Sequence, residues 1–216
     1  MKPLLKIMIT LALFFASTFI ILKSTGMITV EKIELWLDIA KNANSIYVSA
    51  IIAGLLFADL FIAVPTLTVM ILGGFFLGPL YGAIAGIIGL FSAGTCGYGI
   101  SHKYGDYLIN FLIKDEEKRE EAIAMFQEHG AIVILLSRAI PILPEVSACM
   151  AGMTRMGFWK FLALWLVSAV PVASIAAYAG SISTLENPTP AFLTIIGFTI
   201  FFWMGWLVFK KKRKSN

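Results

Sequence analysis

The sequence predicts an all-α polytopic membrane protein built on an inverted repeat, each half a re-entrant helical hairpin plus a transmembrane helix. Of its 216 residues, 59% are hydrophobic and 14% are charged, whereas soluble domains carry about 25% charged residues. Several apolar runs are long enough to cross a bilayer, and two of them hold prolines and charged residues in the middle. We therefore expect a single membrane domain over residues 1–216, with flanking N- and C-terminal transmembrane helices and interfacial amphipathic helices.

Residues 131–161 give the strongest evidence for broken helices at membrane depth. The run is apolar, but four of its residues fit a lipid-facing helix poorly: Arg138, Pro141, Pro144 and Glu145. A proline removes a backbone donor and costs about 3 kcal/mol in a helix interior, and an intramembrane arginine normally faces protein or a wet cavity. Unwound backbone is tolerated there only where protein or water satisfies it. These residues therefore predict two short helices that meet at an unwound turn and return to the same face.

The same reasoning divides the rest of the chain. The predicted spans are residues 4–22, 80–100, 158–180 and 191–209, and the predicted hairpins are about 45–78 and 131–157. The tip of the first hairpin is placed between Asp59 and Thr66, where Pro65 interrupts the apolar run. A plain span from Ile46 to Val64 is the alternative.

Three further segments lie outside the hairpins. Residues 4–22 exceed the apolar core of about 7 to 15 residues that signal peptides carry, so an uncleaved first helix is favoured over a signal peptide. Residues 28–42 have one apolar and one charged face, which predicts an interfacial helix on the membrane surface or a helix that binds a partner. Residues 102–130 are polar and predict an interfacial linker helix that stops at Gly130.

The distribution of positive charge predicts the orientation. With the N-terminus inside and each hairpin returning to its own face, 13 Lys and Arg residues lie on the cytoplasmic side and 3 on the outer side. Residues 210–216 form a basic cytoplasmic tail that suits anionic headgroups. We expect a bacterial or archaeal cytoplasmic membrane with both termini in the cytoplasm.

Motifs in the middle of the chain form a recognisable set. They are the RxxPxxP pattern of Arg138, Pro141 and Pro144, then Ala151-Gly152, Met156 and Phe161, the run GGFFLGPLYG at residues 73–82, and Pro171, Tyr178 and Gly180. Together they resemble the signature of the VTT-domain branch of the DedA superfamily, also called SNARE-associated membrane proteins. The resemblance covers about residues 45–181 and implies lipid handling that contributes to membrane homeostasis.

An offset of 79 residues aligns the two hairpins. It pairs Asp59 with Arg138, Pro65 with Pro144, Gly73 with Gly152 and Gly78 with Gly157. The paired glycines are candidate structural positions. Each half then holds a hairpin and one span, and an odd number of crossings makes the halves inverted, an arrangement that many transporters use to place a site near the midplane.

The repeat makes Asp59 and Arg138 candidates for mutual neutralisation. As a buried ion pair they would fix one hairpin against the other, and removing one partner would cost about 3 to 5 kcal/mol. As a transport site, Arg138 would hold an anionic headgroup while Glu145 or Asp59 exchanges protons. Carbonyl groups left unpaired by three prolines would face the cavity: Pro65, Pro141 and Pro144.

The resemblance implies a flippase or scramblase for a phospholipid or a lipid-linked carrier, with proton coupling as an option. The carrier-lipid flippase branch resembles RxxPxxR, whereas Pro144 stands at the second arginine position here and Glu145 follows. This departure weakens the expectation that undecaprenyl phosphate is the substrate. A transporter of small ions or solutes and a non-transporting membrane organiser are the alternatives. We expect no enzyme activity, cofactor, metal site or nucleic-acid partner, and close glycine packing allows an oligomer.

Overall fold

The computed structural model describes residues 8–10, 13, 35, 44–62, 64–139, 142–184 and 187–215. In these residues the chain is helical and forms no strand. Its helices are α1 (Ser45–Ala58), α2 (Thr66–Leu112), α3 (Glu116–Leu136), α4 (Leu143–Met153), α5 (Phe158–Ser181) and α6 (Thr189–Ser215), with a 3₁₀ turn at Ser137–Ala139. The all-α prediction is confirmed for this part of the chain. The predicted span 4–22 and the predicted interfacial helix 28–42 lie almost entirely outside the described residues.

The helices form two compact units, which are described separately. In its described part, the Arg138 unit is built mainly from residues 60–62 and 91–168, and the Asp59 unit from residues 44–59, 64–90 and 169–215. Each of the long helices α2 and α5 has one part in the Arg138 unit and the other part in the Asp59 unit. The first predicted hairpin therefore falls mainly in the Asp59 unit, and the second falls in the Arg138 unit.

The first predicted hairpin is a helix–turn–helix. Helix α1 has 14 residues, so it is about 21 Å long and too short for a hydrocarbon core of about 30 Å. It ends at Ala58, the chain turns over residues 59–65, and α2 begins at Thr66. A Cβ atom at Gly73 would lie 3.1 Å from Cδ1 of Ile52, so α1 packs along the first part of α2. The plain-span alternative is wrong because the helix stops, whereas re-entry into a membrane stays a prediction.

Helix α2 reverses direction at Gly78. This residue has φ 78° and ψ 175°, a conformation that residues with a Cβ atom rarely adopt. Pro79 follows at the start of the next helical segment, where its missing N–H would have no helical partner. A Cβ atom at Gly82 would lie 2.8 Å from backbone atoms of Gly73 and Gly74. Residues this far apart in a straight helix are separated by about 12 Å or more, so the two segments of α2 double back at Gly78.

The second hairpin differs from the prediction in its first arm. Helix α3 runs without interruption from Glu116 to Leu136, so this arm does not begin near residue 131. The predicted linker helix over residues 102–130 is also wrong as a single element, because α2 ends at Leu112 and α3 begins after a short turn. The polar segment is instead the end of one helix and the start of the next.

Gly130 lies inside α3 and does not stop it. A Cβ atom at Gly130 would lie 2.7 Å from Cε1 of Phe126 and 3.0 Å from Cε of Met156. The glycine therefore makes room for a buried ring and for the turn between α4 and α5, and no left-handed cap forms at this position.

Within the described residues, two helical stretches are long and apolar enough to cross a membrane: Thr66–Tyr107 of α2 and Phe158–Ser181, which is α5. The second segment of α2 contains the predicted span 80–100. Water solvates large apolar side chains poorly, whereas lipid accommodates them. Both helices expose such side chains, among them Leu80, Ile88, Val167 and Ile175.

The order of elements recurs along the chain. The break after the first hairpin falls at Gly78 and the break after the second falls at residues 154–157. The long helical segments that follow begin at Pro79 and Phe158, which are 79 residues apart. The order of helix, turn, short helix, break and long helix therefore occurs twice at the predicted offset. The inversion of the two halves stays a prediction.

Candidate functional site

Arg138 occupies the 3₁₀ turn that follows α3, in the Arg138 unit. Its side chain is half-buried, and its Nε and Nη2 atoms are shielded from solvent. The guanidinium Cζ lies 4.7 Å from the ring centroid of Trp165, a residue of α5 that is 2% exposed. A cation over an indole face is attracted by the ring quadrupole, by about 2 kcal/mol or more when both groups are desolvated. Arg138 is therefore a cation held inside the protein beside an aromatic surface.

The backbone is strained at Ile142, four residues after Arg138. Ile142 precedes α4 with φ 75°, in the left-handed region that costs a β-branched residue about 1 to 2 kcal/mol. The buried Ser137 hydroxyl donates to the carbonyl of Ile134 at 2.7 Å and so completes the end of α3. Strain of this kind persists where the surrounding structure fixes it, and it clusters at functional sites. Pro141, predicted to face the cavity, lies outside the described residues.

Pro144 and Glu145 lie in the first turn of α4. Pro144 is buried at a position that needs no N–H partner, and its carbonyl accepts a hydrogen bond of 2.7 Å from the Ser147 hydroxyl. Glu145 is half-buried, and its negative charge is favoured near a helix N-terminus by the helix dipole. Glu145 therefore stabilises the start of α4 and is seven residues after Arg138 in the chain.

Helix α4 is buried along nearly its whole length, which explains how an unusual turn is held in place. A Cβ atom at Gly152 would lie 2.4 Å from the carbonyl oxygen of Tyr98 in α2, so the two backbones are in contact. The buried residues of α4 are Pro144, Val146, Ser147, Ala148, Cys149, Met150, Ala151, Gly152 and Met153.

Aromatic rings continue from Trp165 towards the polar end of the Arg138 unit. The ring centroids of Trp165 and Phe161 are 5.5 Å apart, and Phe161 stacks on Tyr98 at 4.9 Å. Tyr98 also stacks on His102 at 5.5 Å and donates its hydroxyl to the carbonyl of Met156. These ring contacts join α2 to α5.

At that polar end, Arg155 ties the turn between α4 and α5 to α2. Its Nη2 donates to Oδ2 of Asp106 at 2.6 Å, and its Nη1 lies 3.3 Å from Nδ1 of His102. The amide of Gln127 in α3 donates to the carbonyl of Thr154 at 3.1 Å. This turn is therefore anchored by two helices, and Arg155 has an acidic partner outside the predicted site.

The predicted acid of the other hairpin, Asp59, is engaged in its own turn. It is buried at the end of α1, its Oδ1 accepts from the N–H of Val64 at 2.8 Å, and its Oδ2 accepts from the hydroxyl of Thr66 at 2.7 Å. Pro65 is exposed between these two donors. The carboxylate therefore closes the tip of the first hairpin. Its pairing with Arg138 stays a prediction.

The four predicted structural glycines differ in their surroundings. Gly73 faces Ile52, Gly78 has the positive φ, and Gly152 touches α2. Gly157 is exposed and would meet nothing within 4 Å, so the structure gives no packing reason for it.

Sequence reasoning missed the residues that contact the predicted ones from elsewhere in the chain. Trp165 and Thr66 were not singled out, and only the geometry connects them with Arg138 and Asp59. In the described part of the chain, no three metal-ligating side chains converge.

The part of the chain that the structure describes is all-helical, and its long apolar helices are consistent with a membrane protein. Residues 64–182 match the VTT domain, and the chain belongs to this family, which confirms the DedA resemblance. It is 29% identical over 151 residues to an uncharacterized membrane protein of Synechocystis sp., covering 64% of this chain and 69% of that protein. It is 31% identical over 113 residues to undecaprenyl phosphate transporter A of Bacillus subtilis, covering 52% of this chain and 55% of that transporter. No solved structure matches the chain.

Proposed function

We propose that this protein moves a lipid with an anionic phosphate headgroup between the two leaflets, as a flippase or scramblase. The observation that carries the proposal is Arg138, a half-buried cation of a membrane protein that lies over the ring of a buried tryptophan. A charge in such a position is costly, and intramembrane charges mark substrate pathways more often than they serve packing alone. The transporter of Bacillus subtilis, whose name specifies undecaprenyl phosphate, supports a phosphate-bearing lipid as substrate.

The chemistry of arginine suits this task. Its planar guanidinium presents donors in a fixed fork that matches phosphate oxygens, and it keeps its charge at any physiological pH. In this mechanism the headgroup enters at the turn that holds Arg138, while the acyl chains stay in lipid along the exposed apolar surfaces of α2 and α5. The protein therefore has to shelter only the headgroup.

The residues around Arg138 favour a phosphodiester headgroup over a phosphomonoester. A phosphomonoester carries a charge of about −1.5 to −2 at neutral pH, whereas a phosphodiester carries a single negative charge. This sequence supplies Pro144 where a second arginine would stand, and Glu145 adds negative charge to the same segment. A segment with one cation and one carboxylate suits the single negative charge of a phosphodiester better than the larger charge of a phosphomonoester. We therefore infer a glycerophospholipid as the transported class.

Proton coupling belongs to the same proposal. Asp59 and Glu145 are the carboxylates of the two hairpins, and protonation of either would remove a negative charge from its own hairpin. We propose that proton uptake at one of them accompanies headgroup release. Proton uptake at Asp59 would weaken the hydrogen bonds from Val64 and Thr66, which favour its ionised form, so protonation there would loosen the hairpin tip.

Reconstituted liposomes test the proposal directly. Purified protein should accelerate leaflet exchange of a labelled phosphatidylglycerol, and Arg138→Ala should slow that exchange by about tenfold or more, the loss expected for a charge-assisted hydrogen bond. The matched control is Arg119→Ala, since Arg119 lies on α3 and pairs with Glu116 at 3.0 Å. Parallel vesicles with a labelled phosphomonoester lipid measure the substrate preference.

Three outcomes would redirect the assignment. Equal rates for Arg138→Ala and wild-type protein would overturn the role of Arg138. Flux of an ion or small solute without lipid movement would favour the second transporter hypothesis. Blank transport assays together with a loss of function on deleting residues 28–41, which lie almost entirely outside the described part, would favour a membrane organiser.

A further inference from the structure

Trp165 is a buried side chain in contact with Arg138. It is 2% exposed, its ring centroid lies 5.5 Å from that of Phe161, and Cζ of Arg138 lies 4.7 Å from its ring centroid. Arginine has a long side chain with about 2 kcal/mol of rotamer entropy, so the backbone at Arg138 does not by itself fix the direction of the guanidinium N–H groups. A flat surface that stacks on the guanidinium restricts both its position and its tilt.

Gly94 of α2 supplies the space for this indole. A Cβ atom at Gly94 would lie 2.4 Å from Cε2 and 2.4 Å from Nε1 of Trp165, closer than real Cβ contacts come. The side chain of Trp165 can occupy its observed position only because residue 94 has no side chain. Gly99, on the same helix, would meet nothing within 4 Å, so the requirement is specific to residue 94.

We propose that Trp165 is a positioning residue for headgroup transport and that it orients the Arg138 guanidinium towards the headgroup. Gly94 makes room for the Trp165 indole because it has no side chain. This inference rests on the proposed function, in which Arg138 binds the phosphate. Trp165 does not touch the headgroup in this scheme. It acts by keeping the arginine fork in the orientation that a tetrahedral phosphate requires, which lowers the cost of ordering the site when the lipid arrives.

Two substitutions at Trp165 distinguish the contribution of an aromatic face from that of side-chain volume. Trp165→Phe keeps an aromatic face for the cation, and Trp165→Leu keeps apolar volume without one. Loss of a desolvated cation–π contact corresponds to about 10- to 30-fold in rate, so we expect that loss for Trp165→Leu and a much smaller one for Trp165→Phe. Gly94→Ala should behave like Trp165→Leu because it displaces the indole, and Gly99→Ala should transport like wild type.

A double-mutant cycle distinguishes positioning from a structural role. Arg138→Lys keeps the charge but loses the planar stack, and it should slow phosphatidylglycerol exchange strongly in wild-type protein and little further in Trp165→Leu. Two residues that act as one unit are non-additive in this way. Additive losses, or a Trp165→Phe variant as slow as Trp165→Leu at equal thermal stability, would overturn the proposal.

A spectroscopic measurement without lipid keeps the test independent of transport. In a chain whose other tryptophans are replaced (Trp36→Phe, Trp159→Phe, Trp203→Phe and Trp206→Phe), Trp165 is the sole fluorophore. Arg138→Leu should shift its emission and raise its quenching by acrylamide, because the cation no longer covers the ring. Unchanged emission and quenching would contradict the stack. If Arg138→Ala transports like wild type but the emission still shifts, the proposed function fails while the contact between the two side chains stands.

Discussion

The hydroxyl of Thr66 donates a hydrogen bond of 2.7 Å to Oδ2 of Asp59, seven residues earlier in the chain. Together with the N–H of Val64 on Oδ1, it closes the tip of the first hairpin and satisfies a buried carboxylate. A buried charge without donors would be too costly to retain. The acid singled out by the sequence is thus part of the turn's architecture, whatever it also contributes to transport.

Removing the Thr66 hydroxyl should destabilise this tip. Thr66→Val keeps the shape but removes the hydroxyl that donates to Oδ2 of Asp59, and losing a hydrogen bond to a charged group costs about 1.5 to 3 kcal/mol. The free energy of unfolding in detergent measures the loss, and Thr66→Ser should restore most of it.

Thr199→Val is the matched control for this change. The Thr199 hydroxyl donates only to the helix carbonyl of Ile195 at 2.8 Å, so its removal should leave stability within experimental error. Equal losses for Thr66→Val and Thr199→Val would show that the Asp59 contact contributes nothing specific.

Asp59 allows the structural and the titrating roles to be separated. Asp59→Asn keeps an acceptor for the Val64 N–H or the Thr66 hydroxyl, whereas Asp59→Ala removes both acceptors, so thermal stability should fall further in Asp59→Ala than in Asp59→Asn. If Asp59 is the coupling acid, the pH dependence of lipid exchange should disappear in Asp59→Asn while the folded protein persists. A variant with the wild-type pH profile would exclude Asp59 as the proton site and direct the search to Glu145.

The positions of the helix breaks could be predicted from the sequence because their causes are local. Pro65, the Gly78–Pro79 pair and Pro144 interrupt helices through missing donors and restricted or left-handed backbone, and the structure has turns or a reversal at each of them. Gly130 misled the same reasoning. The missing side chain of Gly130 leaves room for Phe126 and Met156. Without knowledge of these contacts, a glycine needed for packing cannot be distinguished from a glycine that caps a helix.

The partners of the charged residues could not be predicted because they depend on three-dimensional contacts. Trp165 contacts Arg138 from a helix that begins at Phe158, and Gly94 acquires its role only when Trp165 packs on it. No spacing in the chain encodes that triple contact. From sequence alone, a tryptophan in an apolar span is predicted to be a residue of the membrane interface or of the core, and only its neighbours show another role.

The start of α3 should be sensitive to acid. Asp115 caps this helix by accepting from the N–H of Lys118, and the hydrogen bond from the Lys118 side chain is the main reason that the pKa of Asp115 lies below its ordinary 3.8. A group with a lowered folded pKa adds stability above its unfolded pKa and loses it as the pH falls through the folded value. Amide protection in the first turn of α3 should therefore decrease below about pH 4, as measured by hydrogen exchange.

Asp115→Asn is the control for this acid effect, because asparagine caps helices as well as aspartate but carries no charge. Its first-turn protection should depend less on pH in the acid range than that of wild-type protein, because only Glu116 and Glu117 remain as carboxylates in this turn. The same contact raises the pKa of Lys118 above 10.5, so the pair's contribution is also lost when the pH rises through that raised value. Unaltered protection of wild-type protein from neutral pH to pH 3 would contradict the assignment.

Gly78 should tolerate no side chain, although there is space for one. A Cβ atom there would meet nothing within 4 Å, so the whole cost of Gly78→Ala comes from the backbone conformation of φ 78° and ψ 175°, at about 1 to 3 kcal/mol. Gly54 in α1 is the matched control, because it also has open space but ordinary helical φ, and Gly54→Ala should leave stability unchanged or raise it. Thermal unfolding of the two variants measures the difference. Equal midpoints would mean that α2 can avoid the positive φ at residue 78 without losing stability. The second segment of α2 would then no longer need to fold back against Gly73 and Gly74, and the transport proposal would lose the hairpin geometry that it requires.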